Sequence, residues 1–597
     1  MSRFAVGRED LGFDPDALRA RYRAERDRRL RPDGAAQYRR AEGEFGYYAE
    51  DPYRTGDSGR APVRDAAEAV VIGGGFGGLL AGARLRQAGV TDIRVIEKGG
   101  DFGGTWYWNR YPGIHCDIES YVYLPLLEEL GYVPEWKYSP GAEIRRYTQS
   151  IGRHFDLYRG ACFGTAVTAL DWADDAWTVR TDRGDEIRAR YVVVSNGTLD
   201  RPKLPGIPGA ETFAGHTFHT SRWDYGYTGG TADGGLTGLA GKRVALIGTG
   251  ATAVQVVPHL GRDAGHLYVF QRTPSSVDVR GNRRTDPEWA ASLETGWQRK
   301  RRDNFLEIVS GGQVEQDLVA DGWTGSAQLL RNLVPSTAYA GLSAEERDEV
   351  DELADFRKMN ELRARVDELV SDPATAELLK PWYRYMCKRP TFSDNYLQTF
   401  NRPNVTLVDT ADHGGVERIT EKAVVVGGQE YQVDCIIFAT GFSVGASDVF
   451  TGRLPVRGRD GELLLDHWQA GPRTLHGFYS HGFPNLFHLG PAQNASSVNF
   501  VHVLDEQAVH VAQVVAAARA RQVHRVEPSV QAERRWAETI RETSPDRRSF
   551  QEECTPGYYN NEGRPRPRSH SFGGGAVAFH ELLRQWRADG MAEVLPE

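Results

Sequence analysis

The stretch Ala67-Glu-Ala-Val-Val-Ile72-Gly73-Gly-Gly75-Phe-Gly-Gly78-Leu-Leu-Ala-Gly-Ala-Arg-Leu-Arg-Gln-Ala-Gly89 decides the fold class. It opens as a buried strand and closes as a helix, with G-x-G-x-x-G as the turn between them. Gly73 permits the tight turn, Gly75 lets a pyrophosphate approach the backbone, and Gly78 lets the helix pack on the strand. A second strand, Ile93-Arg-Val-Ile96, ends in Glu97, 19 residues beyond Gly78, where a carboxylate can accept from the hydroxyls of an adenosine ribose. The pattern predicts a doubly wound α/β domain of Rossmann type for FAD or NAD, whose 2′-hydroxyl is free.

A second loop follows downstream. Lys242-Arg-Val-Ala-Leu-Ile247 is again a strand, then come Gly248-Thr249-Gly250-Ala251-Thr252-Ala253 and a helix that includes Gln255. The next strand, Leu267-Tyr-Val-Phe270, runs into Gln271-Arg272-Thr273. A guanidinium and a hydroxyl stand where the first loop has Glu97. An acid there would repel a 2′-phosphate, whereas arginine binds one through paired charge-assisted bonds. The second cofactor is expected to be NADPH. Gly103-Gly104-Thr105-Trp106-Tyr107-Trp108, soon after Glu97, is rich in glycine and aromatics, suits a flat ring system and selects FAD for the first domain. Tyr191-Val-Val-Val-Ser-Asn-Gly197 reads as the end of the first part of the flavin domain. Asp434-Cys-Ile-Ile-Phe-Ala439-Thr440-Gly441-Phe442, which resembles the ATG motif of two-dinucleotide flavoproteins, reads as the resumption of that domain. The expected organisation is a helical extension over 1–64, the flavin domain over 65–205, an NADPH domain over 206–400 with a helical insert at about 285–380, and the rest of the flavin domain over 401–597.

The chain has 597 residues and a formal net charge of −9, so no basic face for nucleic acid is indicated. Its five cysteines are odd in number and widely spaced, with no C-x-x-C pair, so neither a zinc site nor a disulfide framework is expected. No apolar run approaches the ~18 residues of a membrane span, and the N-terminus has no signal-peptide pattern. The expectation is a cytoplasmic protein, a monomer or homodimer, without metal. Residues 15–41, rich in helix formers and in charges of both signs, read as an arm clamped on the main body, or less readily as a regulatory or oligomer contact.

Between the two glycine loops lies Phe213-Ala-Gly215-His-Thr-Phe-His219-Thr-Ser-Arg-Trp223-Asp224. It fits F-x-G-x-x-x-H-x-x-x-W-[P/D], and over residues 65–597 the chain resembles the type I Baeyer–Villiger monooxygenases. The resemblance implies that the signature couples domain movement to catalysis, with His219 structural. It implies that Thr105, Trp106, Tyr107, Trp108, Asp117, Tyr123 and Val167 contact flavin, and that Gly248 to Ala253, Gln255, Arg272, Thr273 and Lys388 contact NADPH.

The family's catalytic arginine falls on Arg389, within Met386-Cys387-Lys388-Arg389-Pro390, and its active-site aspartate falls on Asp117. Reduced flavin and O₂ would give a C4a-peroxide that must stay deprotonated to attack a ketone, and a permanent cation stabilises that anion. Asp117 would hold Arg389 in place. In small-ketone members a tryptophan on a C-terminal loop contacts NADP. Here the stretch reads Glu553-Cys-Thr555-Pro-Gly-Tyr-Tyr-Asn-Asn-Glu-Gly563, with Thr555 at that place. That form and the arm resemble the N-terminally extended branch, which includes enzymes acting on aryl, macrocyclic and polycyclic terpenoid ketones, the pentalenolactone-pathway enzymes among them. A bulky, fused-ring or terpenoid ketone is the expected substrate. The substrate lining is expected from Pro491–Phe500 and the 285–380 insert. Two other readings are a flavin monooxygenase acting on nitrogen or sulfur, and a non-catalytic flavin sensor. Neither needs the Arg389–Asp117 pair.

Overall fold

The computed structural model describes residues 11–54, 59–329, 341–443, 454–565 and 571–595. The first sheet is built around Arg64–Ile72, whose run of apolar residues is buried on both faces, as a central parallel strand requires. It pairs in parallel with Ile93–Ile96 on one side and Glu186–Val194 on the other, bringing Ile72 level with Ile96 and Val194. The helix Phe76–Gln87 starts directly from Gly75 and is buried along most of its length, because Phe500–Ala520 packs over it.

The second sheet has the strand order Val405–Asp409, His266–Gln271, Arg243–Ile247, Cys435–Phe438, His216–His219, all parallel. This corrects the sequence-based boundary at 400. Both Val405–Asp409 and Cys435–Phe438 belong to the second domain, and the flavin sheet resumes only with Val456–Arg457 and Leu486–His488. The reason is physical: a short apolar run such as Cys-Ile-Ile-Phe suits a buried strand of either sheet, and periodicity carries no information on which. The 285–380 insert is helical as expected, with Pro287–Ala291, Trp297–Val309, Gly322–Leu329, Ala344–Leu369 and Pro373–Leu379.

The expectation of five unlinked cysteines fails. Cys387 and Cys554 form a disulfide with Cα atoms 5.1 Å apart, although 167 residues separate them, while Cys116, Cys162 and Cys435 are buried thiols. Spacing along the chain is silent about pairs that meet only in the fold.

The arm lies across the second domain. Its helix Pro15–Asp27 is capped by Asp14, whose carboxylate accepts from the Asp16 amide at 2.9 Å. Tyr22 packs edge-on against Phe356 of the long insert helix at 5.4 Å, and its hydroxyl accepts from Arg363 at 2.9 Å. The chain then forms a strand, Tyr38–Arg40, antiparallel to Lys203–Pro205 at the crossover between the domains.

Candidate active site

The two glycine loops open onto one cavity of about 1710 Å³. A single small-ligand pocket measures roughly 300–1,000 Å³, so this cavity has room for two dinucleotides and a substrate. The loops are built alike. Gly73 has φ +105°, and a Cβ there would sit 2.2 Å from the Ser195 carbonyl oxygen; Gly248 has φ +107°, and its Cβ would sit 2.6 Å from that of Ala439. Ser195-Asn196-Gly197 and Ala439-Thr440-Gly441 are therefore equivalent turns of two separate domains. Gly78, where a Cβ would meet the Gly73 carbonyl at 1.8 Å, faces the strand and not the cavity. Ala253 is likewise buried and off the cavity wall, whereas Gly75, Thr249, Gly250, Ala251 and Thr252 line it.

Glu97 also lines the cavity. The amides of Gly74 and Gly99 each donate to its carboxylate at 2.6 Å, although burial holds its pKa above the ordinary range. Thr105, Trp106, Trp108, Tyr123 and Val167 join it on the wall. Tyr107 does not: its hydroxyl donates to Asp51 of the extension at 2.7 Å. Thr105–Trp108 is one helical turn, in which residues 105 and 108 share a face and 107 points away.

Arg389 and Asp117 meet as an ion pair. Arg389 Nη1 donates to Asp117 Oδ2 at 2.6 Å and to the Pro390 carbonyl at 3.1 Å. Its side chain keeps 36% exposure because the rest of the guanidinium faces the cavity, whereas the Asp117 side chain keeps 4%. A second cation, missed in the sequence, shares the carboxylate: Arg280 Nη2 donates to Asp117 Oδ1 at 2.6 Å. Gln255 Nε2 adds a bond at 3.2 Å, and Trp323 of the insert donates to the Asp117 carbonyl at 3.0 Å. Burial opposes the Asp117 charge, but Arg389 and Arg280 outweigh it and hold the carboxyl below the ordinary range. Burial also disfavours the Arg389 cation, yet Asp117 raises its pKa above the usual arginine value.

Arg272, also on the cavity wall, donates to Gln37 Oε1 at 2.9 Å and to Glu562 Oε2 at 2.9 Å. Thr273 and Lys388 are adjacent, with Lys388 Nζ donating to the Thr273 carbonyl at 3.0 Å. Burial, then Arg272 and Arg29, push the Lys388 pKa down to about 7. Two parts of the wall were not foreseen. Gln37, Tyr38 and Arg40 of the arm line it, and so do Tyr558 and Tyr559 of the C-terminal stretch. Thr555, at the place of the small-ketone tryptophan, is buried at 2% exposure and off the wall, whereas those two tyrosines are on it. Of the segments expected around the substrate, Pro491, Ala492, Val498 and Phe500 lie on the cavity wall, and no described residue of the insert does.

The signature residues Phe213, Gly215, His219, Trp223 and Asp224 lie off the cavity. His219 is wholly buried, its pKa pushed down to about 3 by burial and by Arg222, and its Nδ1 lies 2.8 Å from Ser221 Oγ. Trp223 receives the Tyr53 hydroxyl as acceptor for its amide at 2.7 Å, and Asp224 caps the turn Tyr225–Thr228. Arg222, within the motif, stacks 4.0 Å from the ring of the cavity-lining Trp108. The motif thus joins the edge strand of the second sheet to the flavin-side loop.

Residues 70–305 match the family model described as pyridine nucleotide-disulphide oxidoreductase. A Baeyer-Villiger monooxygenase of Streptomyces coelicolor is 62% identical over 583 residues, covering 97% of this chain and 96% of its own. The chain belongs to the Baeyer–Villiger monooxygenases. A neopentalenolactone D synthase of Streptomyces avermitilis is 52% identical over 590 residues, 97% of this chain and 99% of its own. A solved polycyclic ketone monooxygenase from Thermothelomyces thermophila has a TM-score of 0.89 at 39% identity, covering 97% of this chain and 98% of that one. The cofactors of this Baeyer–Villiger monooxygenase are FAD and NADP(H), and the cavity with its two glycine loops fits both. It acts as an NADPH-dependent flavin monooxygenase.

Proposed function

We propose that this enzyme inserts one atom of O₂ beside the carbonyl of a bulky, fused-ring ketone and so makes a lactone in secondary metabolism. The observation that carries the reading is the Arg389–Asp117 ion pair, 2.6 Å long, on the wall of a cavity that both glycine loops share. When bound, NADPH would supply two electrons and FAD would pass them to O₂, one atom of which enters the product while the other leaves as water. Arg389 is a fixed cation beside the reacting atoms, stabilising negative charge on oxygen without giving up a proton. Asp117 and Arg280 lock the orientation of that cation. Glu97 holds the ribose of FAD, while Arg272, Thr273 and Lys388 hold the 2′-phosphate of NADPH.

The bulky substrate is supported by likeness, over nearly the whole chain, to enzymes named for polycyclic ketones and for neopentalenolactone D. A cytoplasmic site of action fits the demand for NADPH, and the Cys387–Cys554 bridge weighs against it. The test is a mass spectrum of products from ketones of increasing ring number, with NADPH and O₂ supplied. Gain of one oxygen with ester fragmentation on the tricyclic members is expected. Sulfoxide or N-oxide products alone, with every ketone returned unchanged, would refute the reading.

A further inference from the structure

Glu562 is a buried carboxylate at 4% exposure in a wall otherwise rich in cations. It accepts from Arg272 Nη2 at 2.9 Å and from the Tyr38 hydroxyl at 3.1 Å, and Lys203 Nζ lies 3.8 Å away. The donors come from three separate places: the second nucleotide domain, the arm and the crossover strand. They converge on one anion. The backbone makes an effort to deliver it, since Asn561 and Glu562 have φ +51° and +57°, the left-handed region that side chains other than glycine avoid. The Glu562 amide closes this turn on the Gly557 carbonyl at 2.8 Å.

We infer that Glu562 occupies the place of the coenzyme's 2′-phosphate and must leave it when NADPH binds. The inference rests on the reading of Arg272 as the 2′-phosphate residue. A phosphomonoester carries more charge and more acceptor oxygens than a carboxylate, so it satisfies the same donors better. A coenzyme without that phosphate has nothing to offer them and leaves Glu562 in place. Glu562 is therefore a displaceable competitor that sets how tightly NADP(H) is held. The turn that carries it also carries Tyr558 and Tyr559, both on the cavity wall.

Calorimetric titration of the FAD-loaded full chain with 2′,5′-ADP and with 5′-AMP tests this. In Glu562→Gln the affinity for 2′,5′-ADP is expected to rise at least fivefold, with 5′-AMP unchanged. A loss of 2′,5′-ADP affinity would mean that Glu562 holds Arg272 ready for phosphate, and no change would mean that it does not compete; either overturns the inference. A second measurement uses the unaltered enzyme. Hydrogen exchange at the amides of 557–563 is expected to quicken on adding 2′,5′-ADP and not on adding 5′-AMP; equal or slower exchange contradicts displacement. Arg272→Ala separates the two levels of the argument. If that variant binds 2′,5′-ADP as well as the unaltered enzyme does, the reading of the phosphate site has failed. If it loses the preference over 5′-AMP while Glu562→Gln gains nothing, only the displacement has failed.

Discussion

Arg389 and Asp117 stand 272 residues apart in the chain and meet at 2.6 Å because two different elements end at the same cavity wall. Hydride transfer needs the two nucleotides aligned, whereas oxygen insertion needs a cation at the reacting oxygen. Arg389→Ala is therefore expected to keep FAD and to be reduced by NADPH near the normal rate, while lactone formed per NADPH falls by about 10²–10³. Stopped-flow reduction together with product yield checks this, and unchanged yield would remove Arg389 from the chemistry. Lys388 yields a pH dependence. Burial and two neighbouring arginines put its pKa at about 7, so in the free enzyme it is charged below that pH and neutral above it. A phosphate contact that depends on its charge weakens as pH rises, and the dissociation constant for NADP⁺ should increase through about pH 7. The phosphate's own second ionisation, at about 6, acts in the opposite direction and is common to all variants. Lys388→Arg stays charged and should flatten the rise above pH 7.

At the scale of elements, both glycine loops, their helices and Glu97 against Arg272 were legible in the sequence, because strand–turn–helix geometry and ribose chemistry each demand particular residues at fixed spacing. The ownership of Cys435–Phe438 was not, since Ser195-Asn196-Gly197 and Ala439-Thr440-Gly441 serve the same turn in different domains and only hydrogen-bond partners distinguish them. Arg280 was equally silent: an arginine in a loop acquires meaning only from the carboxylate that it reaches. In the C-terminal stretch the sequence singled out Thr555 as the residue at the coenzyme, and the fold turns Tyr558 and Tyr559 to the wall instead. That stretch is anchored by the Cys387–Cys554 bridge directly beside Lys388. Closing a span of 167 residues limits the unfolded chain, an effect typically of about 2–4 kcal/mol. Cys554→Ser is expected to lower the melting temperature, and dithiothreitol should lower that of the unaltered enzyme but not of the variant. Peptide mapping that finds both thiols free in the native enzyme would contradict the bridge.

Across the whole molecule, the arm, both nucleotide domains and the C-terminal stretch close on one cavity, so each contributes to the volume left for substrate once the nucleotides are bound. The arm was legible in the sequence as a segment clamped on the main body, but its place on the second domain, with Tyr22 against Phe356 and Gln37 on Arg272, was beyond sequence reasoning. The central claim concerns what that remaining space accepts. The most direct measurement is the specificity constant for a tricyclic ketone against that for cyclohexanone, with NADPH saturating and uncoupled oxidation subtracted. A preference for the tricyclic ketone of tenfold or more is expected, about 1.4 kcal/mol of transition-state stabilisation; a specificity constant for cyclohexanone equal to or above that of the tricyclic ketone would contradict it.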